Sequence, residues 1–192
     1  AVAIIKHAPV RRNLLWMKAY LEGIRALNYF TAFSIDVGAA SDSEEERQKY
    51  HGYAELLTPI CKAFSSDRGM EICSRAIDVY GGYGFCQEYP VEQYFRDCKI
   101  TQIYEGTNQI QSLDLVGRKL EQGKGENFRN LLGSIDSTIN KIHNNEVLKD
   151  FCAKLVEARE ALGRMPAVFD GCFKSGKAAM PVQNAEPFLA VM

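Results

Sequence analysis

Apolar residues recur at steps of three and four along most of the chain, which is the spacing of a helix with one buried face. The first such stripe is formed by Leu14, Met17, Leu21, Ile24 and Leu27. It predicts a long helix that continues to about Val37 and stops at Gly38. No segment alternates strictly between apolar and polar residues, as a half-buried strand would. The pattern therefore predicts an all-α fold, an antiparallel helical bundle with short loops.

Polar clusters divide the next region into two predicted helices. Ser41 and Glu44 have the spacing of a capping box, so a second helix is predicted to begin there. The cluster at residues 65–67 (SSD) predicts a break and the cap of a third helix. Gly81 and Gly82 predict the end of that helix, because glycine is common just beyond a helix C-terminus.

Shorter elements and a linker follow. Pro90 predicts the first turn of a short helix that ends near Cys98, and Thr107 predicts the cap of another that reaches about Leu120. Residues 122–126 (QGKGE) are polar and contain glycine, which is typical of a linker. We therefore predict a helical domain over residues 1–121 and an appended helical segment over residues 127–192, with a break at residues 144–145.

The end of the chain is apolar. Residues 181–192 (PVQNAEPFLAVM) form a helical-looking run without a cap, a glycine or a polar tail. This pattern predicts either that the chain is cut short or that a partner covers the apolar face. The sequence also begins without methionine. We interpret the chain as a piece of a longer protein.

Composition and charge exclude several classes of function. The 192 residues carry a net charge of −1, so there is no basic surface for nucleic acid. No apolar run approaches the roughly 20 residues that cross a bilayer, so we predict no integral membrane segment. The six cysteines form no CxxC pair and the three histidines are scattered, which predicts no metal site. We therefore predict that the cysteines are structural thiols and that the protein is in a reducing compartment, the cytoplasm.

Residues 76–120 contain the candidate chemistry. Glu105 lies between Tyr104 and Gly106, just before the helix that Thr107 is predicted to cap. A glutamate at such a place is often a surface residue that complements the helix dipole. Its apolar neighbours Ile103 and Tyr104, however, predict a partly buried position, which suits a general base. Gly106 would permit close approach by a ligand.

The glycine pair that follows the third predicted helix is open to two interpretations. Gly81 and Gly82 are consistent with a simple helix end and turn. Such glycines usually mean only that, but they also suit a backbone without side chains on which a large cofactor can lie.

Taken together and in order, these motifs closely resemble the C-terminal helical domain of the acyl-CoA dehydrogenases. The matching pieces are residues 79–85 (VYGGYGF), 88–92 (EYPVE), 96–97 (RD) and 103–111 (IYEGTNQIQ). The resemblance covers residues 1–120. The helices after the linker resemble, more loosely, an extra C-terminal segment of one bacterial-type branch.

The resemblance implies FAD-dependent α,β-dehydrogenation of an acyl-CoA thioester, with electron-transfer flavoprotein or a similar protein as acceptor. Glu105 matches the glutamate that removes the α proton, while the β hydrogen leaves as hydride to FAD. In some branches another helix supplies the base and this position is small. The glutamate here favours the common arrangement.

Further residues match positions that contact substrate or cofactor. Gly106 matches a residue that packs against the thioester, and Thr107, Asn108 and Gln109 match a segment that contacts FAD. The stretch that covers the FAD of a neighbouring subunit is matched by Asp78, Val79, Tyr80, Gly81 and Gly82. The resemblance thus implies a homo-oligomer, a dimer or a tetramer. Many relatives have glutamine where this chain has Asp78, so the chain departs from the family's pattern at that FAD contact.

Two alternatives remain open at this point. The N-terminal helical domain and the middle β-domain of the family are not in this sequence, which implies that the chain is inactive alone. It could be a degenerate, non-catalytic binding or assembly module of the same fold, although Glu105 argues against loss of the base. It could also be a plain helical bundle, in which the glycines are caps and Glu105 is a surface residue.

Overall fold

The computed structural model describes residues 2–192, apart from the side chain of Val191. The α-helices of this part are α1 (Ala8–Ala40), α2 (Glu44–Tyr80), α3 (Val91–Lys99), α4 (Asn108–Asp114), α5 (Glu126–Ile142), α6 (Lys149–Lys174), α7 (Ala179–Gln183) and α8 (Ala185–Val191). Short helical turns lie at Ile4–Lys6, Gly81–Phe85, Ile100–Gln102, Leu115–Lys119 and Gln122–Gly125. Since no strand occurs in residues 2–192, the all-α prediction is confirmed.

The turn between α1 and α2 differs from its prediction. Helix α1 continues past Gly38 to Ala40. A Cβ atom at Gly38 would lie 3.2 Å from the backbone nitrogen of His51, so this glycine permits close approach of the two helices instead of ending one. The cap of α2 is Ser43, whose Oγ accepts a hydrogen bond from the backbone nitrogen of Glu46 at 3.3 Å.

The predicted break at residues 65–67 is wrong, because α2 passes through it without interruption. The three side chains there bond to other parts of the fold. Ser65 donates to Asn28 at 3.3 Å, Ser66 donates to the side-chain oxygen of Asn108 at 3.1 Å, and Asp67 accepts from Gln102 and Asn108. Side chains with such partners do not compete for the helix backbone. The predicted end at Gly81 is confirmed, with a positive φ of 65° at that residue.

The chain forms two compact units, and helices α1 and α2 each contribute residues to both. Unit 1 comprises Ala1–Phe30 and Cys61–Gln111, and unit 2 comprises Thr31–Ile60 and Ser112–Met192. Within unit 1 the two long helices run antiparallel, since Asn13 bonds to Arg75 and Asn28 bonds to Ser65. The predicted domain division at residues 121–127 stays a prediction. The chain makes a left-handed turn there, with positive φ at residues 123–125.

Unit 2 has an extensive apolar core. Its buried apolar side chains are Tyr53, Ala54, Leu56, Leu57, Ile60, Leu115, Val116, Leu120, Phe128, Leu132, Cys152, Leu162, Phe169, Ala185, Phe188 and Leu189. The last three belong to the C-terminal run, for which the sequence predicted a chain cut short or a face covered by a partner. Part of that face is covered within the chain, because α8 packs on α6 and the rings of Phe169 and Phe188 meet edge to face at 5.1 Å, whereas Val182 of the same run is 47% exposed.

No helix in the described part of the chain is both long enough and apolar enough to span a membrane. Likewise, among residues that the structure describes, no group of three histidine, cysteine or acidic side chains is arranged to hold a metal ion.

Candidate functional site

The candidate base lies in a loop of unit 1 that joins the turn Ile100–Gln102 to α4. We call residues 103–107 the Glu105 loop. Glu105 has a φ of 54° and Gly106 has a φ of 86°, so two successive residues adopt the left-handed conformation. For a residue with a side chain this conformation costs about 1–2 kcal/mol. Backbone strain of this kind persists where the surrounding structure enforces it, and it is concentrated at functional sites.

The expectation that Glu105 is partly buried is wrong, because its side chain is exposed. The two apolar neighbours that suggested burial face outward, with Ile103 52% exposed and Tyr104 53% exposed. They therefore do not cover the carboxylate. Within this chain the carboxylate is accessible to a ligand.

Gly106 is the residue that the backbone requires at its position. A Cβ atom there would lie 2.8 Å from Nε2 of Gln111. That nitrogen donates a hydrogen bond to the carbonyl oxygen of Glu105 at 3.1 Å. A side chain at residue 106 would both strain the backbone and displace Gln111 from the Glu105 loop.

Helix α4 begins where the sequence predicts but ends earlier than predicted. The hydroxyl of Thr107 accepts a hydrogen bond from the backbone nitrogen of Ile110 at 3.3 Å, which confirms the predicted cap. The α-helix ends at Asp114, and the wider π-helical turn Leu115–Lys119 completes the predicted length. Gln109, on the first turn, is exposed.

The side chain of Asn108 is directed to α2. Its oxygen accepts from Nζ of Lys62 at 2.7 Å and from the hydroxyl of Ser66 at 3.1 Å. Its nitrogen donates to Oδ1 of Asp67 at 2.6 Å. Burial lowers the pKa of Lys62 from its ordinary value, and the charge of Asp67 acts in the opposite direction. Asn108 thus joins the start of α4 to the middle of α2.

An open depression of about 510 Å³ lies beside the Glu105 loop. Its walls include Cys61, Lys62 and Ser65 of α2 together with Thr101, Tyr104 and Glu105. This volume is within the range of small-molecule sites. Sequence reasoning did not find Lys62 or Asp67. The polar cluster at residues 65–67 was the available signal, and it was interpreted as a helix cap.

The second group of candidate residues lies at the end of α2, on a different element from the Glu105 loop. Asp78 and Tyr80 are exposed and Val79 is half-buried. Cβ atoms at Gly81 and Gly82 would meet nothing within 4 Å, so the backbone here is open to its surroundings. This surface is accessible from outside the chain.

The cysteines are free thiols. Burial, with a smaller contribution from neighbouring Cys98, raises the pKa of Cys73 to about 11. That thiol therefore remains protonated at neutral pH, as expected for a structural cysteine.

Comparison with known proteins agrees with these motifs. The family model described as "Acyl-CoA dehydrogenase, C-terminal domain" matches residues 2–120. The chain is 39% identical to a butyryl-CoA dehydrogenase of Syntrophomonas wolfei over 88% of this chain and 27% of that protein. It is 40% identical to a 3-methylmercaptopropionyl-CoA dehydrogenase of Ruegeria pomeroyi over 84% of this chain and 27% of that protein.

A broad-specificity linear acyl-CoA dehydrogenase of Mycobacterium tuberculosis is 35% identical over 88% of this chain and 28% of its own length. The matches to these relatives are longer than the match to the family model, so they include residues beyond 120. The chain spans little more than a quarter of the length of these relatives. On the match over residues 2–120, the chain belongs to the acyl-CoA dehydrogenase family.

Proposed function

We propose that this chain supplies the catalytic base of an FAD-dependent acyl-CoA dehydrogenase, with Glu105 as the base. The observation that carries the proposal is the accessible Glu105 carboxylate, held on strained left-handed backbone beside a ligand-sized depression. Membership of the family and the names of its relatives support the reaction class. The remaining walls of the site would come from parts that the relatives have and this chain does not span.

The proposed role of Glu105 is removal of the α proton of an acyl-CoA thioester. A thioester α proton is weakly acidic, so the carboxylate must be aligned on it when the bond breaks. The small Gly106 would leave room for the thioester next to the base. Bound FAD would supply the acceptor for the β hydrogen, which would leave as hydride.

The residues present fit a flavin in part. Thr107 and Gln109 are exposed at the start of α4, where they could contact it. The side chain of Asn108 is engaged with α2, so a contact from Asn108 would be made by its backbone. The open backbone at Gly81 and Gly82 is consistent with a flat group lying against it.

Two features support assembly of the active site from more than one subunit. The residues that match the cover over a neighbouring flavin are Asp78, Val79, Tyr80, Gly81 and Gly82. They lie on a different element from the Glu105 loop, and most are exposed. We therefore propose a homo-oligomer, a dimer or a tetramer.

Electron-transfer flavoprotein or a similar protein is the proposed electron acceptor. The proposed compartment is the cytoplasm, with which the free cysteines are compatible.

The proposal is tested by Glu105→Gln in the protein produced from its complete gene. We expect reduction of FAD by acyl-CoA, followed anaerobically by loss of flavin absorbance, to slow by about 10³-fold or more, because the amide cannot accept the α proton. The FAD content should be unchanged. Glu22→Gln is the matched control, since Glu22 is an exposed glutamate of the same unit that bonds to Lys18 on the helix surface.

Flavin reduction at a near wild-type rate in Glu105→Gln would show that Glu105 is not the base. Loss of FAD from that variant would instead assign Glu105 a role in binding the cofactor.

We further propose that the 192-residue chain is inactive alone. Because it spans little more than a quarter of its relatives, it contains only part of the surface that would hold flavin and substrate. We expect no turnover above background when the purified chain is assayed with FAD, an acyl-CoA and a dye acceptor. Robust turnover would contradict this. The protein from the complete gene, assayed in parallel, is the positive control.

A further inference from the structure

One carboxylate oxygen on α2 connects both ends of the Glu105 loop. Oδ1 of Asp67 accepts a hydrogen bond from Nε2 of Gln102 at 2.6 Å and another from Nδ2 of Asn108 at 2.6 Å. Gln102 is three residues before Glu105 and Asn108 is three residues after it. The two residues that flank the loop are thus attached to the same atom.

Each of these two side chains is oriented by a further contact. Lys62 donates to the oxygen of Asn108 at 2.7 Å, and Lys99 donates to the oxygen of Gln102 at 2.7 Å. With their oxygens engaged, both amides present their nitrogens to Asp67. Hydrogen bonds to an ionised carboxylate are roughly twice as strong as those between neutral groups. This arrangement sets the distance between the two ends of the loop.

The loop itself has little packing to hold its shape. Ile103 and Tyr104 are each more than half exposed, and Glu105 is exposed. Yet Glu105 has a positive φ, a conformation that relaxes in a residue with a side chain unless the surroundings enforce it. The hydrogen bond from Gln111 to the Glu105 carbonyl and the restraint at the two ends of the loop together supply that enforcement.

We propose that Asp67 is a positioning residue for the α-proton abstraction: through Gln102 and Asn108 it holds the Glu105 loop in the conformation that presents the base. This inference rests on the proposed function of Glu105. Asp67 does not contact substrate in this role. It acts by limiting the movement of the carboxylate, and a misplacement of about 1 Å can slow a reaction by about 100-fold.

The test is Asp67→Ala in the protein from the complete gene, studied by anaerobic stopped-flow flavin reduction. We expect the limiting rate to fall by about 10-fold to 100-fold while the substrate concentration for half-maximal rate changes little. The primary isotope effect with an α-deuterated acyl-CoA should rise, because proton removal becomes more strongly rate-limiting. Asp67→Asn keeps an oxygen that can accept both hydrogen bonds, so it should restore the rate to within about threefold.

Glu71→Ala is the matched control. Glu71 is one turn further along α2 and also accepts two hydrogen bonds, from Arg68 at 2.7 and 2.8 Å, within its own helix. If Glu71→Ala and Asp67→Ala slow the reaction equally, or if the isotope effect is unchanged in Asp67→Ala, the role of Asp67 is structural and the inference is overturned. A wild-type rate in Asp67→Ala overturns it as well.

If Asp67→Ala does not fold, Gln102→Ala removes only one of the two bonds and should still raise the isotope effect; an unchanged isotope effect there overturns the inference. Glu105→Gln, measured alongside, separates the two hypotheses. Normal flavin reduction in Glu105→Gln contradicts the proposed function. Slow reduction in Glu105→Gln together with normal reduction in Asp67→Ala contradicts only the positioning role.

Discussion

The two units of the chain are stabilised in different ways. Unit 2 contains nearly all of the buried apolar side chains that the structure describes, and in unit 1 these are only Ala63 and Val91. In the described part of unit 1, ring contacts and polar bonds accompany this smaller buried core. The guanidinium of Arg75 lies 4.0 Å from the ring centre of Trp16, which in turn lies 4.2 Å from that of Tyr20.

The candidate chemistry lies in the unit with the smaller buried core. The residues that flank the Glu105 loop are held by hydrogen bonds to α2, and the carbonyl of Glu105 accepts one from Gln111 of α4. Such bonds are directional, so they can fix one loop conformation without enclosing the loop. A packed core around Glu105 would instead have excluded a ligand. The polar attachment is therefore compatible with both a defined backbone and an accessible carboxylate.

The largest expected effect on stability is in the core of unit 2. Leu115 is fully buried at the start of the π-helical turn. We expect Leu115→Ala to lower the free energy of unfolding by about 3 kcal/mol, from lost burial and the cavity left behind. Urea unfolding of the purified chain measures this change in free energy. Leu15→Ala, at a position 70% exposed in unit 1, should change stability by no more than about 0.5 kcal/mol. If both variants lost the same free energy of unfolding, the two units would not differ in the way described.

A smaller effect is expected from the ion pair of unit 2. Nζ of Lys119, a buried residue, donates to Glu55 on α2, and this bond holds the pKa of Glu55 below its ordinary value of 4.5. A lowered pKa in the folded state stabilises the protein above pH 4.5. That contribution is lost as the pH falls through the folded value. Because Glu55 is about one-third exposed, solvent screens part of the attraction.

We therefore expect Glu55→Gln to lower stability by about 1 kcal/mol at pH 6 and by less at pH 3, as measured by urea unfolding at both pH values. Glu44→Gln is the control, because the Glu44 carboxylate bonds to Arg47 at the exposed start of α2. Glu44→Gln should lower stability by less than Glu55→Gln, and its effect should disappear in high salt. A pH-independent effect of Glu55→Gln would show that the charge of Glu55 is not what stabilises the fold.

The sequence could predict those features of the candidate site that depend on residues close together in the chain. The motif around Glu105, the cap at Thr107 and the helix end at Gly81 depend on residues close together in the chain, and the structure contains both helix boundaries. The attachment to Asp67 depends on partners 35 and 41 residues away. In the sequence, a serine–serine–aspartate cluster that caps a helix looks the same as one that faces a distant loop.

The sequence by itself determined the helical character of the chain, the family, and the identity of the candidate base, because periodicity and motif order are properties of neighbouring residues. The tertiary structure decided which polar residues hold the Glu105 loop and which way its side chains face. It also decided that part of the C-terminal apolar run packs on α6. Each of these depends on which surfaces meet in space, and hydrophobic periodicity identifies a face of a helix without naming its partner.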